Sequence, residues 1–303
     1  MTQPLARRLG LFDAVVIGVG SMVGAGVFAS FAPASAVAGT GLVIGLAVAA
    51  VVAFCNATSS AQLAAQYPTS GGTYVYGRER LGEWPGFLAG WTFVIGKTAS
   101  SAAMALVFAA YVAPAGYTEL VAVLAITALT TVNYFGITRT ATLTKILVAA
   151  VLTVLVVGVV LGVTGSSGPV DTELDSFIEN GWYGILQSAG LLFFAFAGYA
   201  RIATLGEEVT RPERTIPRAI VSALGIALLV YAVVALTLLS VVGPELLASS
   251  SAPLVDLVVT SGNSWASPVM RVGAGLAALG ALLALIAGIG RTSLAMARHH
   301  DLP

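Results

Sequence analysis

Eight apolar runs, each long enough to cross a bilayer, constrain this chain more than any motif in it. A hydrocarbon core of about 30 Å takes about 20 apolar residues of helix. The chain offers runs at 11–34, 39–65, 85–113, 117–136, 140–163, 181–208, 217–242 and 268–297, separated by polar, Gly- or Pro-bearing joints. Composition agrees: of 303 residues, 57% are hydrophobic and 9% charged, where a soluble domain averages about 25% charged. Runs such as LVIGLAVAAVVAFC are apolar all round and lack the strand alternation of a membrane barrel. The fold class expected is an all-α polytopic membrane protein.

Formal net charge is zero, yet the charges are sorted. With the spans numbered in order and the N-terminus inside, Arg7, Arg8, Arg78, Arg80, Arg139, Arg211, Arg214, Arg218, Arg291 and Arg298 fall on cytoplasmic segments. The outer loops hold Asp171, Glu173, Asp175, Glu179, Glu245 and Asp256, with Arg271 alone as a basic residue near that side. Lys/Arg asymmetry sets orientation, so a multi-pass protein of the cytoplasmic (plasma) membrane with an inside N-terminus is expected. Arg7, Arg8, an apolar run and APASA imitate a cleavable signal, but seven further spans follow and the run is longer than a signal core. Cys55 is the single cysteine, which leaves no intrachain disulfide to draw.

The first run contains GVGSMVGAGVF, residues 18–28, with four glycines in mid-span. Gly20 and Gly24 form a G-x-x-x-G pair that would let two helices approach closely. A nucleotide fingerprint fails, because its third glycine falls on Val23 and no strand precedes it. The alternative is a discontinuous helix: glycine costs about 1 kcal/mol inside a helix and permits an opened backbone whose polar groups hold a ligand near the midplane. Inverted repeats then require a second break. Five spans later, LLFFAFAGYARIATLGEEV is interrupted at Ala197, Gly198 and Tyr199, with Arg201 well short of the span's end.

These stretches, together with YPTSGGTYVYGRERLG after the second span, GWTFVIGK in the third, EEVTRPERTIPRAI after the sixth and RTSLAMARHHDLP after the eighth, resemble the amino acid, polyamine and organocation (APC) permeases over essentially the whole chain. The resemblance implies a LeuT-like inverted-repeat (5+5) core with helices 1 and 6 broken. Residues 1–163 would be the first five-helix repeat, 164–180 an acidic extracellular loop and 181–303 a partial second repeat. It places a substrate carboxylate at Val23, Gly24, Ala25 and Gly26, where a half-helix dipole is positive. The substrate ammonium would meet carbonyls at Phe194, Ala195 and Ala197, with Gly198 as hinge; Phe194, Phe196 and Tyr199 are candidates to cover the side chain.

Candidate coupling and gating residues follow. Lys97 is about twelve residues into its span, about 18 Å deep; a charge there is costly unless paired, hydrated or neutral, so it either exchanges a proton or caps freed carbonyls. Lys145, near the start of the fifth span, either snorkels to the cytoplasm or serves coupling, as a span-5 lysine does in some proton-coupled relatives. Arg201 either meets the substrate or pairs with an acid that the sequence does not identify; the proton-sensing glutamate of some members aligns with Ala200 and is not carried over. Thr292 and Ser293 offer adjacent hydroxyls, as in the sodium site of the wider fold family, with proton coupling or exchange favoured over sodium. Glu207 and Glu208 would pair with arginines to close the cytoplasmic route.

The family core has five plus five spans, usually followed by two more, whereas this sequence ends at HHDLP. The expectation is a chain truncated after the eighth span, or completed by a second one. No paired catalytic carboxylates, metal-ligand cluster or nucleophile with a base stands out, and His299 and His300 fall in a cytoplasmic tail. Neither enzyme activity, nor a cofactor, nor a nucleic-acid partner is expected. The function read from the sequence is secondary active transport of amino acids by alternating access, proton-coupled or exchanging. The alternatives are a substrate-binding or channel-like component without coupled transport, or a permease for polyamines or organic cations.

Overall fold

A computed structural model describes residues 7–114, 116–165 and 180–302, so most of the acidic loop, including Asp171, Glu173, Asp175 and Glu179, lies outside the described residues. The described residues form helices, with one isolated parallel bridge between Leu9 and Val209. Seven helical stretches among them are long and apolar enough to cross a membrane, and Thr118–Tyr134 is a further apolar helix of 17 residues. Seventeen residues reach about 25 Å, the lower end of what a bilayer takes, so of the eight runs expected seven meet the length and hydropathy of a span and the fourth is represented by this shorter helix.

In chain order the helices are α1 (Leu11–Met22), α2 (Ala25–Ala29), α3 (Phe31–Ala38), α4 (Leu42–Gln66), α5 (Thr73–Leu81), α6 (Glu83–Val112), α7 (Thr118–Tyr134), α8 (Ile137–Gly165), α9 (Gly181–Phe196), α10 (Ala200–Ala203), α11 (Pro212–Val241), α12 (Pro244–Ser249), α13 (Pro253–Thr260) and α14 (Ser267–Arg298). The first run is thus three helices rather than one, interrupted at Val23–Gly24 and again at Ser30, and it extends to Ala38 instead of stopping at 34. It is closed off by Gly39, whose φ of +55° an L side chain rarely adopts.

The sixth run stops at Ala203, five residues short of the expected end, and residues 204–208 are turns. The joint with two prolines is helical from Pro212 onward. Pro212 takes the first helical position, where its missing N–H has no intrahelical partner to lose, and Pro217 forfeits one hydrogen bond within a helix of 30 residues.

Small residues set the packing. Ala49, Ala53, Ala57, Ala61 and Ala64 make a buried stripe on α4, against which α9 and α11 close, while Val51, Val52 and Phe54 on the same helix are exposed. The inward faces of α11 (Ile216, Ala219, Ile220, Ala223, Ala227, Tyr231, Val234) repeat at helical spacing. Helix α14 packs along α6, α8 and α1, so the last span lies against both the third and the first. Apolar side chains face outward as well as inward, as a lipid-facing bundle requires, and the close approach of backbones supplies the packing that the hydrophobic effect cannot supply in lipid.

The α4–α9 contact is the tightest test of that arrangement. A Cβ on Gly45 would lie 2.0 Å from the Ser188 hydroxyl and 3.1 Å from the Ile185 carbonyl. Gly45→Leu is expected to destabilise by about 1–3 kcal/mol or more through overpacking, read as a lowered melting temperature in detergent, whereas Val51→Ala on the exposed face, 63% accessible, should leave it nearly unchanged.

Candidate functional site

The four glycines of the first span each meet a different helix, so close packing and the break are both present. A Cβ on Gly18 would strike Ile202 and Ala223, on Gly20 Val148, on Gly24 Ala281 at 2.8 Å, and on Gly26 Ala195 at 2.8 Å. Gly20 and Gly24 therefore do not form one face of a G-x-x-x-G pair: one faces α8 and the other α14. At the break itself the Gly24 N–H bonds to the Met22 carbonyl at 2.8 Å, a three-residue turn in place of the helical ladder.

The second interruption is milder than a fully opened strand. Helix α9 ends at Phe196 and tightens into a 3₁₀ turn, Ala197–Tyr199, before α10. Gly198 is where the two interruptions cross: its Cβ would lie 2.3 Å from the Ser21 carbonyl oxygen and 2.7 Å from the Met22 nitrogen. Tyr231 of α11 pins the crossing, with its hydroxyl 2.5 Å from the Met22 carbonyl and 2.9 Å from the Ala195 carbonyl. One hydroxyl carries one proton, so it satisfies one of these two carbonyls at a time.

Between the interruptions lies a cavity of about 70 Å³. Gly24 and Gly26 line it from the first break, Phe194, Ala195, Ala197 and Gly198 from the second. Val23 is buried but does not line it, and the side chain of Ala25 lies outside the described residues. Phe196 and Tyr199 do not cover it either: Phe196 is in the core with its ring edge-on to Tyr231 at 5.0 Å, and Tyr199 is buried elsewhere. Each follows a residue that lines the cavity, Ala195 and Gly198, and is turned away from it, by about 100° on the α-helix for Phe196 and about 120° in the 3₁₀ turn for Tyr199.

The remaining walls were not singled out in the sequence. Helix α6 contributes Phe93, Ser100 and Met104 on either side of Lys97, and α14 contributes Ala281, Ala284, Leu285 and Gly288. The spacing of Phe93, Lys97, Ser100 and Met104 is that of one helix face, so Lys97 was the available signal for the α6 wall. The α14 wall is small and apolar and has no comparable marker.

Two of the three cationic candidates are at the cavity. Lys97 lines it with its ammonium 5.6 Å from the Phe93 ring, and so does Arg201, whose Nη1 donates to the Thr204 hydroxyl at 2.5 Å. Lys145 is elsewhere: it pairs with Asp13 at 2.5 Å and joins α8 to α1. Thr292 is buried without a hydrogen-bond partner for its hydroxyl, while Ser293 is half-buried, and neither lines the cavity.

Beyond the cavity, the arginine-rich end of the bundle is tied together by ion pairs. Glu208, 1% exposed, accepts from Arg291 Nε at 2.6 Å and from its Nη2. Glu207 accepts from Arg298 at 2.6 Å and from the Ser70 N–H at 3.1 Å. The main chain joins in: Arg8 and Leu9 N–H groups donate to the Glu208 carbonyl at 2.9 and 3.0 Å, and Thr210 N–H to the Leu9 carbonyl at 2.9 Å. At the same end Tyr74 donates to Asp301 at 2.6 Å; burial, then that hydrogen bond, push its hydroxyl up to about 12, so it stays a donor at physiological pH.

Glu208→Gln is expected to cost about 1–3 kcal/mol, because it replaces the charge-assisted hydrogen bonds of the half-buried Arg291 with neutral ones. Thermal unfolding in detergent should show a fall for this variant and none for Glu213→Gln on the exposed start of α11. Tyr231→Phe should cost about 1–3 kcal/mol by removing the one side-chain donor shared by the Met22 and Ala195 carbonyls, of which Met22 keeps the Gly24 N–H.

The amino acid permease family profile matches residues 9–303. An uncharacterized transporter of Mycobacterium tuberculosis is 60% identical over 299 residues, 99% of this chain and 68% of that protein. A branched-chain amino acid permease of Bacillus subtilis is 26% identical across 99% of this chain and 69% of its own length, and a chloroplastic cationic amino acid transporter of Arabidopsis thaliana is 25% identical across 99% and 56%. The chain belongs to the amino acid permease family, within the APC superfamily, and is a membrane transporter and not an enzyme.

Proposed function

We propose that this chain carries amino acids across the cytoplasmic membrane as a secondary transporter, by alternating access around a site between the two interrupted spans. The observation that carries the reading is the shared cavity. Two chain segments far apart in sequence each abandon the α-helical ladder beside one another, and both face one space. Main-chain groups there are held by neighbouring backbone and by Tyr231 in the resting arrangement, and they are the groups that would exchange those partners for a substrate's carboxylate and ammonium. The names of the relatives, a branched-chain permease and a cationic amino acid transporter, support amino acids as the cargo class.

The arginine sorting supports a cytoplasmic N-terminus. On that reading the Glu207–Arg298 and Glu208–Arg291 pairs, with the Leu9–Val209 bridge, close the cytoplasmic route in the state described. Opening that route would require the start of span 1 to part from the end of span 6 and from α14. Proton coupling or exchange is favoured over sodium: Lys97 sits at the cavity, while Thr292 and Ser293 stand away from it and are unequally buried. Lys145, paired with Asp13, holds α1 to α8 and is not assigned to coupling.

The test is counterflow in proteoliposomes. Liposomes preloaded with one amino acid at millimolar concentration should take up the same labelled amino acid saturably. Gly24→Leu, which drives a side chain into Ala281, should abolish uptake. Failure of all twenty amino acids to support counterflow by folded protein would reject the reading.

A further inference from the structure

The cavity is charged in one sense. Two charged side chains line it, Lys97 from α6 and Arg201 from α10, and both are cations; among the described residues that line it there is no carboxylate. Arg201 is 6% exposed and spends Nη1 on the neutral Thr204 hydroxyl, while its Nε has no hydrogen-bond partner. Glu208 attracts Arg201 electrostatically, but Arg291 repels it and already holds Glu208 through two nitrogens. Two guanidinium groups therefore share one carboxylate. Lys97 has no carboxylate within 4 Å among the described residues and rests near the face of Phe93.

Buried cations are normally paired, and a guanidinium offers its nitrogens in a fork that matches a carboxylate. A zwitterionic amino acid brings equal charge of both signs and leaves the surplus in place. A cationic one adds to it. An amino acid with an acidic side chain brings a second carboxylate and offsets it. Resting on the amino acid reading above, we propose that the cavity is selective for acidic amino acids, with Arg201 binding the side-chain carboxylate and Lys97 supplying the second positive charge.

The experiment is thermal stabilisation of the purified chain by the sodium salts of glutamate and aspartate and by glutamine, leucine, lysine and sodium chloride at matched ionic strength. Glutamate and glutamine differ by little more than a charge, so that pair isolates the electrostatic term. Glutamate or aspartate should half-saturate stabilisation at a concentration about ten- to a hundredfold below glutamine or leucine, the range of a charge-assisted hydrogen bond, and lysine should have no effect. Arg201→Met should erase that preference and Arg201→Lys restore only part of it.

If Arg201→Met does not melt cooperatively, Lys97→Met is read in its place and should weaken the glutamate effect in the same direction. Stabilisation by glutamine, leucine or lysine equal to or stronger than that by glutamate overturns the selectivity and leaves amino acid transport standing. So does an equal effect of sodium chloride. No stabilisation by any amino acid overturns the selectivity and counts against the transport reading too, and counterflow then separates the two.

Discussion

Hydrocarbon offers no hydrogen-bond partner to an opened backbone, so a spanning helix can be interrupted only where other protein supplies one. That constraint organises the whole bundle. The turn at Met22–Gly24 and the 3₁₀ turn at Ala197–Tyr199 meet each other, backbone to backbone, at Gly198, and Tyr231 reaches from α11 to the carbonyls of both. Each glycine of the first span presses against a different neighbour, so α8, α9, α11 and α14 are all drawn to the same short segment. A single side chain larger than hydrogen at Gly198 would push the two interruptions apart.

The same segment separates two electrostatic environments. Toward the N-terminal end, acids and arginines alternate across helices: Glu207 with Arg298, Glu208 with Arg291, Asp301 with Arg78 and Tyr74. Each of these contacts joins elements remote in sequence, and the main-chain bonds of Leu9 and Arg8 to Glu208 tie the start of the chain into the set. At the cavity the balance is lost, since Lys97 and Arg201 face it with no acid among the lining residues. The paired charges and the positive cavity thus meet at α10 and the turn that follows it, which carries Arg201 at one end and Glu207 and Glu208 at the other.

Much of this was legible in the residues. The eight runs, their helical character and the two interruptions follow from the mean length of apolar stretches and from glycine placed in mid-span, both local properties. Gly24, Gly26, Phe194, Ala195, Ala197 and Gly198 were found at the cavity because an interrupted helix marks its own position. Lys97 was conspicuous by depth alone. Phe196, Tyr199 and Lys145 face away from the cavity, because the side a residue faces depends on its angle about the helix and on which helix lies opposite, neither of which its position in the sequence gives.

The sequence by itself determined the class: apolar runs of spanning length force helices, because only a helix satisfies its own backbone in lipid. Which helices touch was decided only in three dimensions. Ser100, Met104 and the α14 wall of Ala281, Ala284, Leu285 and Gly288 carry no local mark, and their place at the cavity comes from the packing of α14 against α6. So do the pairing of Lys145 with Asp13 and the sharing of Glu208 between Arg291 and the field of Arg201. In lipid, apolar surfaces are nearly interchangeable, so the order of neighbours is set by small-residue fit and charge pairing between distant segments, which a linear pattern does not encode.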